Sequence, residues 1–171
     1  MPERLAWLNS LNADEAAKEL LQCCGSKRWA AEMSHQRPFP NEEKLLAAAN
    51  NVWWSLDSND WLEAFRSHPK IGEKKAADKV SAQSQQWSGQ EQSGVANASQ
   101  ETSSSLATLN QAYEQKFGFI FIICATGKTS ADMLAALRER LEHDPEAELP
   151  IAAAEQSKIT ALRLKKLLIS S

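Results

Sequence analysis

Residues 106–125 read LATLNQAYEQKFGFIFIICA, and a change of pattern within them sets the expected fold class. Apolar side chains first recur at helical spacing, at Leu106, Leu109, Tyr113 and Phe117. Gly118 is suited to end this amphipathic helix. The apolar run that follows, from Phe119 to Ala125, is either a buried strand or an extended wall of a pocket. Because no second strand pattern is available to pair with this run, we predict the wall.

The rest of the chain predicts further helices. A helix from Lys27 to His35 must end before Pro38, because proline disfavours the α conformation in the residue ahead of it. Asn41 is a good N-cap for the next helix. The remaining boundaries are a helix from Glu15 to Cys24, one opened by Ser58 or Asp60 and ended by Pro69, one from Ala131 to His143 stopped by Pro145, and a last one opened by Pro150 that runs to about Ile169. We predict an all-α, single-domain bundle of seven or eight helices over residues 1–171.

Composition excludes several classes of protein and of partner. The 171 residues carry 19 Lys and Arg against 22 Asp and Glu, a net charge of −3, which argues against a nucleic-acid partner. No apolar run approaches the ~20 residues that a membrane span needs. The N-terminus has no signal-peptide pattern. The three cysteines, Cys23, Cys24 and Cys124, fit neither a disulfide framework nor a zinc site. We therefore expect a cytoplasmic protein with no membrane partner.

His68 differs from the other two histidines. It follows Trp61 by seven residues and Phe65 by three, so the spacing places all three on one inward face of a helix. Pro69 breaks that helix directly after the imidazole. A histidine at such a helix end can shuttle protons near neutral pH, and the alternative is a hydrogen-bonded histidine with no function. We expect His35 and His143 to face solvent.

The segment Ser88-Gly-Gln-Glu91-Gln92 is open to two interpretations. Ser-x-x-Glu is a capping box, in which each side chain satisfies a backbone N–H group and no function is needed. Alternatively, the i, i+3, i+4 spacing presents a hydroxyl, a carboxylate and an amide on one face. Such a trio could bind a polar heterocycle, and the carboxylate could orient a histidine.

Arg163 lies within an apolar stripe of the last predicted helix, between Ile159 and Leu167. A guanidinium there either reaches out to solvent or meets an acceptor. In the second case it is suited to hold an anionic or carbonyl-rich ligand with its planar fork.

Common cofactor and nucleophile motifs are missing from the chain. There is no P-loop, no GxGxxG, no GxSxG and no HExxH. We expect neither a metal nor a cofactor, so any chemistry must use acid–base groups and positioned hydrogen bonds.

Separated segments carry a family resemblance. They are RPF at 37–39, HPKIG at 68–72, SxxEQ at 88–92, LNxxYxxKFGFxF at 109–121 and KIxxLRL at 158–164. In this order they resemble the 2-oxo-4-hydroxy-4-carboxy-5-ureidoimidazoline (OHCU) decarboxylases, the last enzymes of the route from urate to allantoin. The resemblance implies an all-α lyase that forms S-allantoin without a cofactor.

The resemblance also implies roles for individual residues. His68 matches the catalytic histidine, and Glu91 is implied as a second catalytic group. The implied substrate-binding residues are Pro69, Ser88, Gln92, Phe121, Ile122, Ile123, Cys124, Ala125 and Arg163. The implied partner is the small-molecule substrate OHCU, and a homodimer is compatible with the sequence.

Two other classes of function remain open at this point. One is a non-enzymatic helical interaction module, in which Trp53, Trp54 and Trp61 would form a partner surface. The other is a lyase of the same fold that acts on a different ureido or imidazole compound. An interaction module predicts that His68, Glu91, Gln92 and Arg163 do not converge on one pocket.

Overall fold

The computed structural model describes residues 3–69, 86–87, 90–91 and 99–169. In these ranges the chain forms helices and no β-strand, which confirms the predicted all-α class. The helices are α1 (Glu3–Ser10), α2 (Ala13–Leu21), α3 (Lys27–His35), α4 (Glu42–Ser55), α5 (Ser58–Arg66), α6 (Gln100–Phe117), α7 (Ser130–Leu141) and α8 (Pro145–Ile169). Residues 86–87 and 90–91 are also helical.

Side-chain caps begin most of these helices. Asn41 accepts a hydrogen bond from the Lys44 backbone N–H at 2.8 Å and caps α4, as the sequence predicts. Thr129 caps α7 and forms a capping box with Asp132. The Thr129 bonds lower the pKa of the Asp132 carboxyl. Two of the predicted helix starts are thus fixed by local hydrogen bonds.

The last helix differs from the prediction at Pro150. Pro145 occupies the first turn of α8, where its missing N–H group costs nothing, and the Asp144 carbonyl accepts from the N–H groups of Ala147 and Glu148. Pro150 therefore lies inside α8, where it removes one backbone bond to Glu146. The predicted start at Pro150 was wrong, whereas α7 does end before Pro145, at Leu141. Helix α1, which the sequence pattern did not predict, is a second difference.

The chain divides into two compact units, Met1–Ala64 with Ser157–Ser171, and Phe65–Gln156. Within the first unit, α2 packs on α3 and α3 on α4. Arg37 donates from Nη1 to the carbonyls of Leu8 (2.8 Å) and Leu11 (2.7 Å) at the end of α1. The RPF segment thus fastens the end of a helix. The single domain over residues 1–171 stays a prediction.

The second unit is built on aromatic side chains. Tyr113 packs against Phe117, Phe119 and Phe121 with ring centroids 4.5, 5.8 and 5.3 Å apart. Gly118 ends α6 at φ +83°, a left-handed conformation that costs a residue with a Cβ more than it costs glycine. This turn sends the chain from α6 into the apolar run at 119–125.

Among the described residues, no helix is both long and apolar enough to cross a membrane.

Candidate functional site

His68 lies just beyond α5, which ends two residues earlier at Arg66. Its backbone N–H still donates to the Phe65 carbonyl at 3.2 Å. Pro69 follows and is buried; its ring keeps His68 out of the α conformation, so the helix cannot continue through it. The side chain is therefore held in the turn after the helix, and not on the helix face that the spacing indicated.

The His68 imidazole is buried against an amide from α8. His68 is 7% exposed, and its Nε2 lies 2.6 Å from Oε1 of Gln156, which is 0% exposed. Because an amide oxygen only accepts hydrogen bonds, Nε2 carries a proton in this contact. The second imidazole nitrogen, Nδ1, is then the one that can bind a proton in the neutral form.

The apolar run at 121–125, which we call the wall, is neither helical nor part of a sheet, and its five residues are buried. That it lines a pocket stays a prediction. Side chains bind its backbone groups in place of a partner strand. Glu155 Oε1 accepts from the Cys124 N–H at 3.0 Å, and Lys128 Nζ donates to the Cys124 carbonyl at 2.8 Å. Arg140 Nη1 donates to the Ile122 carbonyl at 2.5 Å. Buried backbone polar groups need such partners, so these three bonds stabilise the wall.

Glu91 is a buried helical residue whose charge reaches this wall. Burial raises the pKa of the Cys124 thiol, and the negative charges of Glu155 and Glu91 raise it further. Cys124 is consequently a neutral thiol and a poor nucleophile. This places Glu91 within electrostatic range of the wall, whereas its catalytic role stays a prediction.

A second buried polar group in this unit, which we call the Glu148 cluster, consists of Tyr113, Arg140, His143 and Glu148. Glu148 Oε2 accepts from Arg140 Nε at 2.7 Å and from the Tyr113 hydroxyl. Glu148 Oε1 lies 2.9 Å from His143 Nδ1. The cluster holds Arg140 in place to bind the Ile122 carbonyl. No sequence pattern indicated this cluster, and His143, expected to face solvent, is partly buried.

Arg163 belongs to the first unit and is 3% exposed, so the interpretation that it reaches solvent is wrong. Its Nη1 donates to the Gln22 carbonyl at 3.2 Å. Burial raises the pKa of the nearby Cys24 thiol to about 12, and the positive charge of Arg163 opposes that rise. A buried guanidinium bound to a carbonyl fits the second interpretation, that of an arginine that meets acceptors.

Two predicted site residues, Ser88 and Gln92, lie outside the described residues. The convergence of His68, Glu91, Gln92 and Arg163 therefore stays a prediction. Gln156 was not predicted. The available signal was its position seven residues before Arg163 in the last helix, which is two turns along the same face.

No group of three or more His, Cys, Asp or Glu side chains within the described ranges is arranged to hold a metal ion. What the second unit does contain is a buried imidazole on an amide, and a buried carboxylate whose charge acts on the Cys124 thiol of a largely apolar wall. Imidazoles and carboxylates are side chains that general acid–base chemistry uses.

The sequence model of the OHCU decarboxylase family matches residues 9–165. The chain belongs to this family.

Individual relatives agree with this membership. The chain is 43% identical over 146 residues to the uric acid degradation bifunctional protein TTL of Arabidopsis thaliana, across 85% of this chain and 45% of that protein. It therefore spans less than half of that relative's length. It is 30% identical to the OHCU decarboxylase of Halalkalicoccus jeotgali, across 82% of this chain and 78% of that one. A crystal structure of OHCU decarboxylase in the presence of (S)-allantoin superposes with a TM-score of 0.77 and 40% identity, across 89% of this chain and 98% of that chain.

Proposed function

We propose that this chain catalyses the decarboxylation of OHCU to S-allantoin in urate degradation, as a carboxy-lyase that uses no cofactor. The observation that carries the proposal is the buried imidazole of His68, at the position that resembles the family's catalytic histidine, in a chain that matches the family over residues 9–165.

The substrate can itself accept the electrons of the reaction. Its carboxylate is attached to a carbon that also bears a hydroxyl and adjoins an imine-like ring carbon. When CO2 leaves, the electron pair of the broken bond moves towards that ring carbon and its nitrogen. The product must then be protonated on one face to give S-allantoin. His68 takes the hydroxyl proton or delivers the new one, as a buried imidazole is suited to do.

The wall at 121–125 favours the loss of the carboxylate charge. Phe121, Ile122, Ile123, Cys124 and Ala125 are all buried and present apolar groups or a neutral thiol. Charge is dispersed as neutral CO2 forms, so an environment poor in water favours the transition state over the charged ground state. Pro69, also buried, extends the apolar surroundings of the imidazole.

The remaining residues bind the substrate in this proposal. Glu91 orients His68 or holds the ring, and Ser88 and Gln92 supply a hydroxyl and an amide for its N–H and C=O groups. Arg163 holds ureido or ring carbonyls and not the departing carboxylate. A strong bond to that carboxylate would stabilise the ground state and slow the reaction.

The setting of the reaction is also a proposal. We place the protein in the cytoplasm, with OHCU as its partner and without nucleic acid or membrane partners. A homodimer is the assembly to test, and size-exclusion chromatography with light scattering measures it.

The decisive experiment adds the purified chain to freshly oxidised urate and follows the circular dichroism of allantoin. Uncatalysed protonation takes place on both faces and gives no net ellipticity. We expect the S-allantoin signal to grow with enzyme concentration and to vanish with His68→Ala. An interaction module predicts no signal at any concentration. A lyase for another ureido compound predicts no signal here and turnover of a related ureidoimidazole.

A further inference from the structure

The contact between His68 and Gln156, which we call the His68 pair, has a chemical consequence beyond the proposed reaction. The two side chains are 88 positions apart in the sequence, both are buried, and Nε2 and Oε1 lie 2.6 Å apart. This is a short hydrogen bond for a nitrogen donor. It fixes the rotation of the imidazole ring and the identity of the protonated nitrogen together.

Gln156 selects one of the two neutral forms of His68. The nitrogen that carries the proton in a neutral imidazole is set by the hydrogen bond of the other ring position. Here the acceptor Oε1 requires a proton on Nε2, which leaves the lone pair on Nδ1. We propose that Gln156 is a positioning residue that holds His68 in its Nε2–H form for proton transfer through Nδ1. The proposal rests on the proposed function.

The neighbouring residue of α8 strengthens the argument for positioning. Glu155 binds the backbone N–H of Cys124 in the wall, while Gln156 binds the imidazole. Two consecutive residues of one helix therefore set the distance between the wall and His68. A rigid helix gives such a pair of side chains a fixed separation, which is what the orientation of a reacting group requires.

The test first measures which nitrogen of the His68 imidazole is protonated and then measures the reaction kinetics. With three histidines in the chain, a long-range ¹H–¹⁵N spectrum of the labelled protein is simple, and His68→Ala identifies the His68 signals. At a pH where His68 is neutral, we expect a protonated Nε2 and an unprotonated Nδ1. In Gln156→Met, which has a similar length and no acceptor oxygen, we expect both neutral forms.

The kinetic expectation separates positioning from binding. Gln156→Met should lower kcat by about tenfold to a hundredfold, which is the cost seen when a metal-bound histidine loses the hydrogen-bond partner that orients it. KM should change by less than threefold. Gln156→Glu, which keeps an acceptor at the same place, should restore the Nε2–H signal and recover part of kcat. Gln115→Met, the same change at an exposed position of α6, should match the wild type in both measurements.

Two outcomes overturn the proposal. One is an active wild type whose neutral His68 carries its proton on Nδ1, a result that does not depend on whether any variant folds. The other is a folded Gln156→Met chain with wild-type kcat. Failure of the proposed function looks different, because the wild type then forms no S-allantoin while the spectrum still reports the state of His68.

Discussion

His68 and His143 each follow the end of a helix, and each binds a fully buried side chain of α8, but the two partners differ in charge. His68 meets the neutral amide of Gln156 at 2.6 Å, and His143 meets the carboxylate of Glu148 at 2.9 Å. The His143 side chain is 31% exposed, whereas His68 as a whole residue is 7% exposed.

On the proposed function, this difference separates a structural cluster from a reactive pair. Glu148 already binds the permanent cation of Arg140 and the Tyr113 hydroxyl, so its cluster is matched in charge and holds the wall through Ile122. Gln156 orients His68 without adding a fixed charge. An amide partner leaves the imidazole able to gain or lose a proton, which a group that turns over in catalysis must do.

We expect the largest effect when the His68 pair is broken by replacing His68 itself. His68→Ala should lower kcat/KM by about 10²–10⁴-fold, the range for a lost acid–base group. It also removes a hydrogen-bond donor from the buried Oε1 of Gln156, so we expect a loss of about 1–3 kcal/mol in the free energy of unfolding. His143→Ala is the matched control, and we expect it to stay within threefold of the wild type in the allantoin assay. Equal losses in the two variants would contradict the comparison.

We expect the next largest effect when the Glu148 cluster is broken, and the quantity that changes is the free energy of unfolding. Arg140→Met leaves a buried carboxylate without its guanidinium, which costs about 3–5 kcal/mol in the free energy of unfolding. Urea denaturation measures it. Arg138→Met, at an exposed position of α7, is the control and should change the free energy by less than about 0.5 kcal/mol. A loss below about 1 kcal/mol in Arg140→Met would show that the cluster does not support the fold.

Glu91→Gln tests whether the proposed activity of His68 depends on the negative charge of Glu91. The change keeps the size of the side chain and removes its negative charge, so we expect at least tenfold lower activity and a stability change under about 1 kcal/mol. The allantoin assay and a thermal melt on one preparation measure both. Full activity would assign Glu91 to a helix cap, and Glu101→Gln, exposed on α6, controls for the substitution itself.

Arg163 extends the comparison to buried cations, because it donates to the Gln22 carbonyl where Arg140 binds a carboxylate. If its guanidinium also holds the ligand, Arg163→Lys should weaken S-allantoin binding about tenfold, the worth of one charge-assisted hydrogen bond. Isothermal titration measures the Kd. An unchanged Kd would restrict Arg163 to a structural role.

The smallest effect concerns the turn before the wall. A Cβ on Gly118 would meet nothing within 4 Å, so Gly118→Ala isolates the cost of a left-handed φ of +83°. We expect a loss of about 1 kcal/mol in the free energy of unfolding and activity within threefold of the wild type. A strong loss of activity without a loss of stability would show that this turn, like the His68 pair, contributes to catalysis and not only to the fold.

Local patterns predicted the helices well because caps and amphipathic spacing are encoded within a few residues. Asn41 and Gly118 both act where the sequence places them. Pro150 misled the prediction, since a proline is tolerated inside a helix when burial elsewhere stabilises that helix. Glu148, two residues earlier, is fully buried among Arg140, Tyr113 and His143 and supplies that stabilisation.

Long-range pairings were beyond local patterns. His68 and Arg163 stand out in the sequence because the spacing places each on an apolar helix face, and both are buried. The sequence could not identify Gln156 as the partner of His68, because neither spacing nor composition records that two residues 88 positions apart meet. A buried imidazole requires an acceptor, but only the folded chain shows which side chain provides it.

Because α8 runs without a break, the number of residues between 149 and 154 is critical for the side chains that follow. Each residue of an α-helix rotates the chain by about 100° around the helix axis and advances it by about 1.5 Å along that axis. Deleting one residue there would rotate Glu155 and Gln156 away from Cys124 and His68 while Glu148 kept its place. Substitutions at an exposed position such as Ile151 leave that phase intact. The helix thus fixes the spacing of these side chains, and relatives that share this chemistry should vary at the exposed positions of this interval but not in its residue count.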